Sequence, residues 1–162
     1  MEKKTAYIAL GSNLAVPALQ IKTAIEHIKK IAQTILINTS PFYENPPMGP
    51  QDQDDFVNAV VEIKTTLDVK SLLHALQAIE EKMGRIRIKR WGPRIIDLDL
   101  LLYENLVFQD FELTLPHPGV FDRIFFLQPL HDLTPDLCLP DGRHIVNLFK
   151  PALTAISNKI HG

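Results

Sequence analysis

The sequence predicts an α+β domain, an antiparallel sheet with helices packed on it. Three observations carry this prediction. Runs with a period of two alternate with runs of helical period, in the order βαββαβ. Gly, Pro, Asn or Asp residues punctuate the runs. At 162 residues, 46% hydrophobic and 22% charged, the chain is long and apolar enough for one real core, so residues 1–162 are expected to form one domain.

The first strand is TAYIALGSN, Thr5 to Asn13, stopping at a Gly-Ser-Asn turn. A helix follows over Ala18 to Ala32. Pro17 suits its start, and Leu19, Ala24, Ile25, Ile28 and Ile31 form an apolar stripe. Ile35 to Tyr43 reads as one strand, rich in β-branched residues. Glu44 to Asp55, ENPPMGPQDQDD, holds three prolines, one glycine and three aspartates in twelve residues. A loop this long and irregular is often functional. Phe56 to Thr66 alternates as a strand. Asp68 to Met83 is a helix with Leu72, Leu73, Leu76 and Ile79 on its inner face and Gly84 as its stop. A basic loop, Arg85 to Pro93, leads into the strand Ile95 to Tyr103. Glu104-Asn105 turns the chain into a short partner strand, Leu106 to Phe108. This order is the split-βαβ, ferredoxin-like arrangement, with helices expected on one sheet face. The proline-richer remainder is expected to add short helices around the sheet, over Val120 to Leu130 and Ala152 to Ile160.

Composition excludes several classes. A net charge of −2 exerts no global pull on nucleic acid or anionic membrane, so electrostatic function must be local. No apolar run reaches the roughly 18 residues of a membrane-spanning helix. The apolar stretch after Lys3 and Lys4 ends within six residues, too short for a signal peptide. Cys138 is the only cysteine and has no partner for an internal disulfide. A cytoplasmic protein with no membrane contact is the expectation.

Within RWGPRIIDLDLLLY, Arg90 to Tyr103, alternation puts Ile96, Leu98, Leu100 and Leu102 on the face toward the helices. It puts Ile95, Asp97, Asp99, Leu101 and Tyr103 on the other. Two carboxylates about 6.6 Å apart at Cα repel unless something neutralises them. A shared proton, paired arginines or a hard divalent cation would do so. Taken alone, D-x-D is more often two surface aspartates. The neighbourhood favours the cation: magnesium commonly takes one or two carboxylates and completes its shell with water and phosphate oxygens. From Lys82 to Arg94 there are six basic residues in thirteen and no acid. A charge run is commonly just a solvated loop. Tethered to the aspartate strand, this one makes a clamp suited to a polyphosphate. Trp91, followed by the bend Gly92-Pro93, suits a lid over a flat ligand. Phe56 and Asn58 share a strand face and offer a stacking surface beside an amide. Core packing is an equally ordinary reading of Phe56. His117, Arg123 and Phe125 supply a hydrogen-bonding ring, a cation and a second stacking surface.

These motifs, with YIALGSNL, FYENPPMGPQDQDDFVNAV, IEEKMGR and LPHPGVFDRIFFLQPL in the same order, resemble the 6-hydroxymethyl-7,8-dihydropterin pyrophosphokinase family over nearly the whole chain. After about Leu133 the likeness weakens, apart from PDGR at Pro140 to Arg143. The resemblance implies transfer of the β,γ-diphosphate of ATP to the pterin hydroxymethyl group, with release of AMP, in folate biosynthesis. It implies two Mg2+ ions, arriving with ATP, on Asp97 and Asp99. Arg85 and Arg94 would act on the phosphates. Gln77, Glu80, Arg85, Trp91, Arg94, His117 and Arg123 would surround ATP. Asn45, Pro46, Met48, Phe56, Asn58, Trp91 and Phe125 would hold the pterin. Phe56 stands where the family commonly has tyrosine, and Asn45 where it commonly has threonine. The expected partners are these small molecules, with no nucleic acid, and the protein is expected to be a monomer. Two rival readings remain at this point: a nucleic-acid-binding module on a ferredoxin-like sheet, and a palm-type nucleotidyltransferase with paired aspartates.

Overall fold

The computed structural model describes residues 2–14, 16–45, 55–84, 95–152 and 158–160. The strands are β1 (Lys4–Ser12), β2 (Thr34–Thr39), β3 (Phe42–Asn45), β4 (Phe56–Thr65), β5 (Asp97–Tyr103), β6 (Phe108–Gln109), β7 (Thr114–Leu115) and β8 (Asn158–Ile160). The α-helices are α1 (Pro17–Lys29), α2 (Val69–Lys82), α3 (Ile124–Leu133) and α4 (Ile145–Ala152). The main sheet runs β5-β1-β4-β3-β8, with β2 also paired to β4, and every pairing is antiparallel. With β2 and β3 taken as one interrupted strand, this is the ferredoxin-like order predicted from βαββαβ.

Local chemistry explains the elements. In α1 the buried stripe is Ile21, Ala24, Ile25 and Ile28. Leu19, assigned to that stripe from sequence, is 55% exposed, because it lies about 200° from Ile21 around the helix. Asp68 caps α2, accepting from the Ser71 N–H at 2.8 Å. Gly84, at φ 84°, ends it in the left-handed region that glycine enters without strain.

The expected strand Ile35 to Tyr43 is two strands. At the break, the Ser40 N–H donates to the Val60 carbonyl and Ser40 Oγ accepts from the Val60 N–H, each at 2.9 Å. Pro41, which has no N–H to offer a ladder, separates the two pieces. The short strand after Glu104-Asn105 pairs with β7 in a separate hairpin, not with β5. The helix expected over Val120 to Leu130 is a 3-10 turn, Pro118–Phe121, followed by α3. The final helix ends at Ala152, and Asn158–Ile160, expected as helix, is a strand along β3.

Both sheet faces are covered, where helices were expected on one. α1 and α2 pack on the face bearing Ala6, Ile8, Leu10, Val61, Leu98 and Leu100. α3 and the start of α4 pack on the face bearing Tyr7, Ala9, Val60 and Leu101. A register shift between Tyr7 and Ile8 opposite β5 breaks the alternation of that strand. Leu102 therefore joins Leu101 in the second core, and Tyr103 turns to the first, donating to the Leu67 carbonyl at 2.7 Å. The assignment of Leu102 and Tyr103 by strict alternation fails for this reason. Asp97 and Asp99 precede the shift and keep the predicted face.

Candidate functional site

The second core stops short of the strand ends. Beyond it, a row of paired residues crosses three strands on the α3 face: Asn58 of β4 opposite Gly11 of β1, and Gly11 opposite Asp97 of β5. One step inward, Val60, Ala9 and Asp99 form a second row. Paired residues share a sheet face. The middle position of each row is small, so the amide and the carboxylates look across a low floor. A Cβ on Gly11 would lie 2.9 Å from Asn58 Nδ2, so this strand position accepts nothing larger than glycine without displacing the amide.

Two clefts open on this floor. The first is lined by Gly11, Asn45, Phe56, Asn58, Asp97, Asp99, Arg123 and Phe125, with Ala9, Leu10 and Phe126. Its base carries a buried amide pair: Asn45 Nδ2 donates to Asn58 Oδ1 at 3.0 Å. Phe126 is fixed edge-on against both Phe125 and His117, with centroids 4.9 and 5.1 Å apart. The second cleft is lined by Gln77, Glu80, Asp97, Asp99, Glu112, Thr114, His117 and Arg123, among others. Asp97, Asp99 and Arg123 line both, so the carboxylates stand where the clefts meet.

Each charged or polar group has a physical setting. Asp97 and Asp99 are half-buried, and Arg123 is exposed at the start of α3. The buried Glu80 carboxylate accepts from the Leu98 N–H at 2.8 Å, tying α2 to the aspartate strand between the two acids. His117 Nδ1 accepts from the Gly119 N–H at 3.0 Å. Burial, reinforced by the Arg123 guanidinium, pushes the His117 imidazole down to about 4. At neutral pH the ring is therefore uncharged and carries its proton on Nε2. Two hard carboxylate oxygen groups, two residues apart at a cleft mouth, suit magnesium in chemistry and charge when phosphate oxygens complete the shell.

The structure thus brings together Asn45, Phe56, Asn58, Asp97, Asp99, Arg123 and Phe125 around the first cleft, and Gln77, Glu80 and His117 around the second. Pro46, Met48, Arg85, Trp91 and Arg94 lie outside the described residues. Sequence reasoning missed Gly11, Glu112 and Thr114. Gly11 had a signal, a glycine inside an apolar strand, which marks close approach of another group. Glu112 and Thr114 arrive on the β6–β7 hairpin, whose pairing had no sequence signature.

The family described as 7,8-dihydro-6-hydroxymethylpterin-pyrophosphokinase (HPPK) matches residues 7–135. The chain is 48% identical over 146 residues to the 2-amino-4-hydroxy-6-hydroxymethyldihydropteridine pyrophosphokinase of Haemophilus influenzae, covering 90% of this chain and 91% of that one. It is 49% identical over 142 residues to the Pseudomonas aeruginosa protein of the same name, covering 88% of each. Among solved structures, a Plasmodium falciparum HPPK-DHPS chain superposes with a TM-score of 0.77 at 18% identity, a likeness of fold. It covers 94% of this chain, which spans 46% of that longer one. A family match over most of the chain, relatives near half identity over almost their full length, and a two-cleft site around paired aspartates lead to one assignment: the chain belongs to the 7,8-dihydro-6-hydroxymethylpterin-pyrophosphokinase family.

Proposed function

We infer that this chain is a pyrophosphokinase of folate biosynthesis that transfers the β,γ-diphosphate of ATP to the hydroxymethyl group of 6-hydroxymethyl-7,8-dihydropterin. The carrying observation is that Asp97, Asp99 and Arg123 line both clefts. A two-substrate transfer needs its phosphate-handling groups between the two binding places.

The first cleft suits the flat ring. Phe56 and Phe125 supply aromatic faces, and Asn58 supplies the amide that reads the ring edge. Asn45 lines the same cleft, and the family resemblance assigns Pro46 and Met48 to the pterin as well. The second cleft suits the nucleotide. Gln77 and His117 face it, and His117 presents an N–H from Nε2 as a neutral donor. Glu80 keeps the aspartate strand in place through Leu98. Arg123 lines both clefts and suits phosphate oxygens; Arg85 and Arg94 would join it there, and Trp91 would contact the pterin, as the family resemblance implies. Asp97 and Asp99 would hold the two magnesium ions that arrive with ATP, and these would neutralise phosphate charge and make the pterin hydroxyl easier to ionise. The pterin hydroxyl gives up its proton to solvent water, and its oxygen forms a bond to the β-phosphorus. The bond from that phosphorus to the oxygen bridging toward the α-phosphate breaks, and AMP leaves with that oxygen and its electron pair.

The test is product analysis with ATP, magnesium and the hydroxymethyl-dihydropterin. AMP formed in step with a pterin diphosphate supports the reading. Free pyrophosphate, the product of nucleotidyl transfer, overturns it, as does release of ADP.

A further inference from the structure

Asn45 Oδ1 is a buried side-chain acceptor with no hydrogen-bond partner, and no other described residue holds such an atom. The residue is 3% exposed and lines the first cleft. Its other amide atom is engaged, Nδ2 donating to Asn58 Oδ1. An orphaned buried acceptor in a ligand cleft calls for a donor from the ligand.

An asparagine pair joined by one hydrogen bond has two self-consistent senses. Either Asn45 donates and Asn58 accepts, or both amides turn over. The observed sense commits Asn58 Oδ1 to β3. It sends Asn58 Nδ2 the other way, over Gly11, where a Cβ would stand 2.9 Å from it. The cleft wall therefore carries a donor, Asn58 Nδ2, and a buried acceptor without a partner, Asn45 Oδ1. A ring edge with a carbonyl next to an N–H complements that pattern. A ring edge with an amino group next to a bare ring nitrogen opposes it.

We propose that Asn45 is a positioning residue that sets the sense of the Asn58 amide, and so makes the cleft select an oxo, N–H ring edge over a diamino one. The inference rests on the pterin reading of the first cleft. It gives the side chain of Asn45 a role separate from any backbone contact of its loop.

The experiment measures calorimetric affinities of two probes, 6-hydroxymethylpterin and 2,4-diamino-6-hydroxymethylpteridine, each with magnesium and a non-hydrolysable ATP analogue. It uses the full chain and the variants Asn45→Ala and Asn45→Asp. The wild type should prefer the oxo ring by at least about tenfold, the ordinary cost of one mismatched buried hydrogen bond. In Asn45→Ala the Asn58 amide is free to turn, and the preference should fall below about threefold. Aspartate has the shape of asparagine but only accepts. It should draw Asn58 Nδ2 toward itself and leave Asn58 Oδ1 facing the ring, so that each probe meets one matched and one mismatched group and the preference is lost. A merely structural role would weaken both probes alike and leave their ratio at the wild-type value; that result in both variants overturns the proposal. A wild type that binds neither ring defeats the pterin reading itself, a failure visible before any variant is compared.

Discussion

At the residue scale, the proposed reaction centres on the paired aspartates. Asp97→Asn or Asp99→Asn should lower turnover at least about a thousandfold, roughly 4 kcal/mol of barrier. Both side chains are half-buried at a cleft mouth, so the melting temperature should move by no more than a few degrees. Assaying AMP release beside a thermal melt checks this; near-normal turnover in either variant contradicts the assigned role. Gly11→Ala should displace the Asn58 amide. The expected outcome is a pterin KM raised roughly tenfold, with the ATP KM changed less than about threefold. Equal increases in both constants would mean that the whole floor had shifted. The aspartates, Phe56 and Asn58 were legible in sequence because each sits on a strand whose alternation places it. Thr114 was not, because a hairpin carries it to the second cleft, and the glycine at position 11 signalled a close approach without saying to what. Cross-strand pairing joins positions as distant as Gly11 and Asp97, and local pattern does not encode it.

At the scale of elements, the breaks in regularity matter most. The sequence showed a β-rich run from Ile35 to Tyr43, but its division at Ser40-Pro41 depends on the bonds between Ser40 and Val60. Ser40→Ala would leave the fully buried Val60 N–H without its acceptor. A loss of about 1–3 kcal/mol in urea unfolding is expected. A change under about 0.5 kcal/mol would show that the strand break does not rely on that bond. On the next strand segment, Tyr43 donates its hydroxyl to Asp132 Oδ2, fastening β3 to α3. Burial, then the Asp132 carboxylate, pushes the Tyr43 phenol above its usual range, so this fastening stays protonated across the physiological range. The register shift opposite Tyr7 and Ile8 had no residue signature at all. It decides that Tyr103 packs under the α1–α2 layer while Asp97 and Asp99 stay on the other face.

At the scale of the molecule, the four-strand order was legible because two helical and four strand periods stand clear in the first hundred residues. The second layer was legible only as a short helix after Val120; that it covers the other face of the sheet was not. α3 and the short strand after α4 lie in proline-rich sequence where periods are brief. Yet that layer closes the site, since the start of α3 brings Arg123 and Phe125 over the strand ends. His117, just before it, gives the fold a specific pH dependence. Its folded-state pKa, about 4, lies below the unfolded value. As pH falls the unfolded chain takes up this proton first, so the contribution is complete above about pH 6.5 and declines toward about pH 4. Allowing for partial solvent access, about 1–2 kcal/mol is expected over that window. Unfolding measured at several pH values should show a shallower slope there in His117→Gln than in the wild type; identical slopes would remove His117 as the cause.

The whole account depends on divalent ions being held at the meeting point of the two clefts. The most direct measurement is a crystal of the protein grown with manganese in place of magnesium and a non-hydrolysable ATP analogue, read by anomalous scattering. The account predicts manganese peaks in contact with both the Asp97 and Asp99 carboxylates and with phosphate oxygens. Nucleotide bound in the second cleft with no manganese at either aspartate would contradict it.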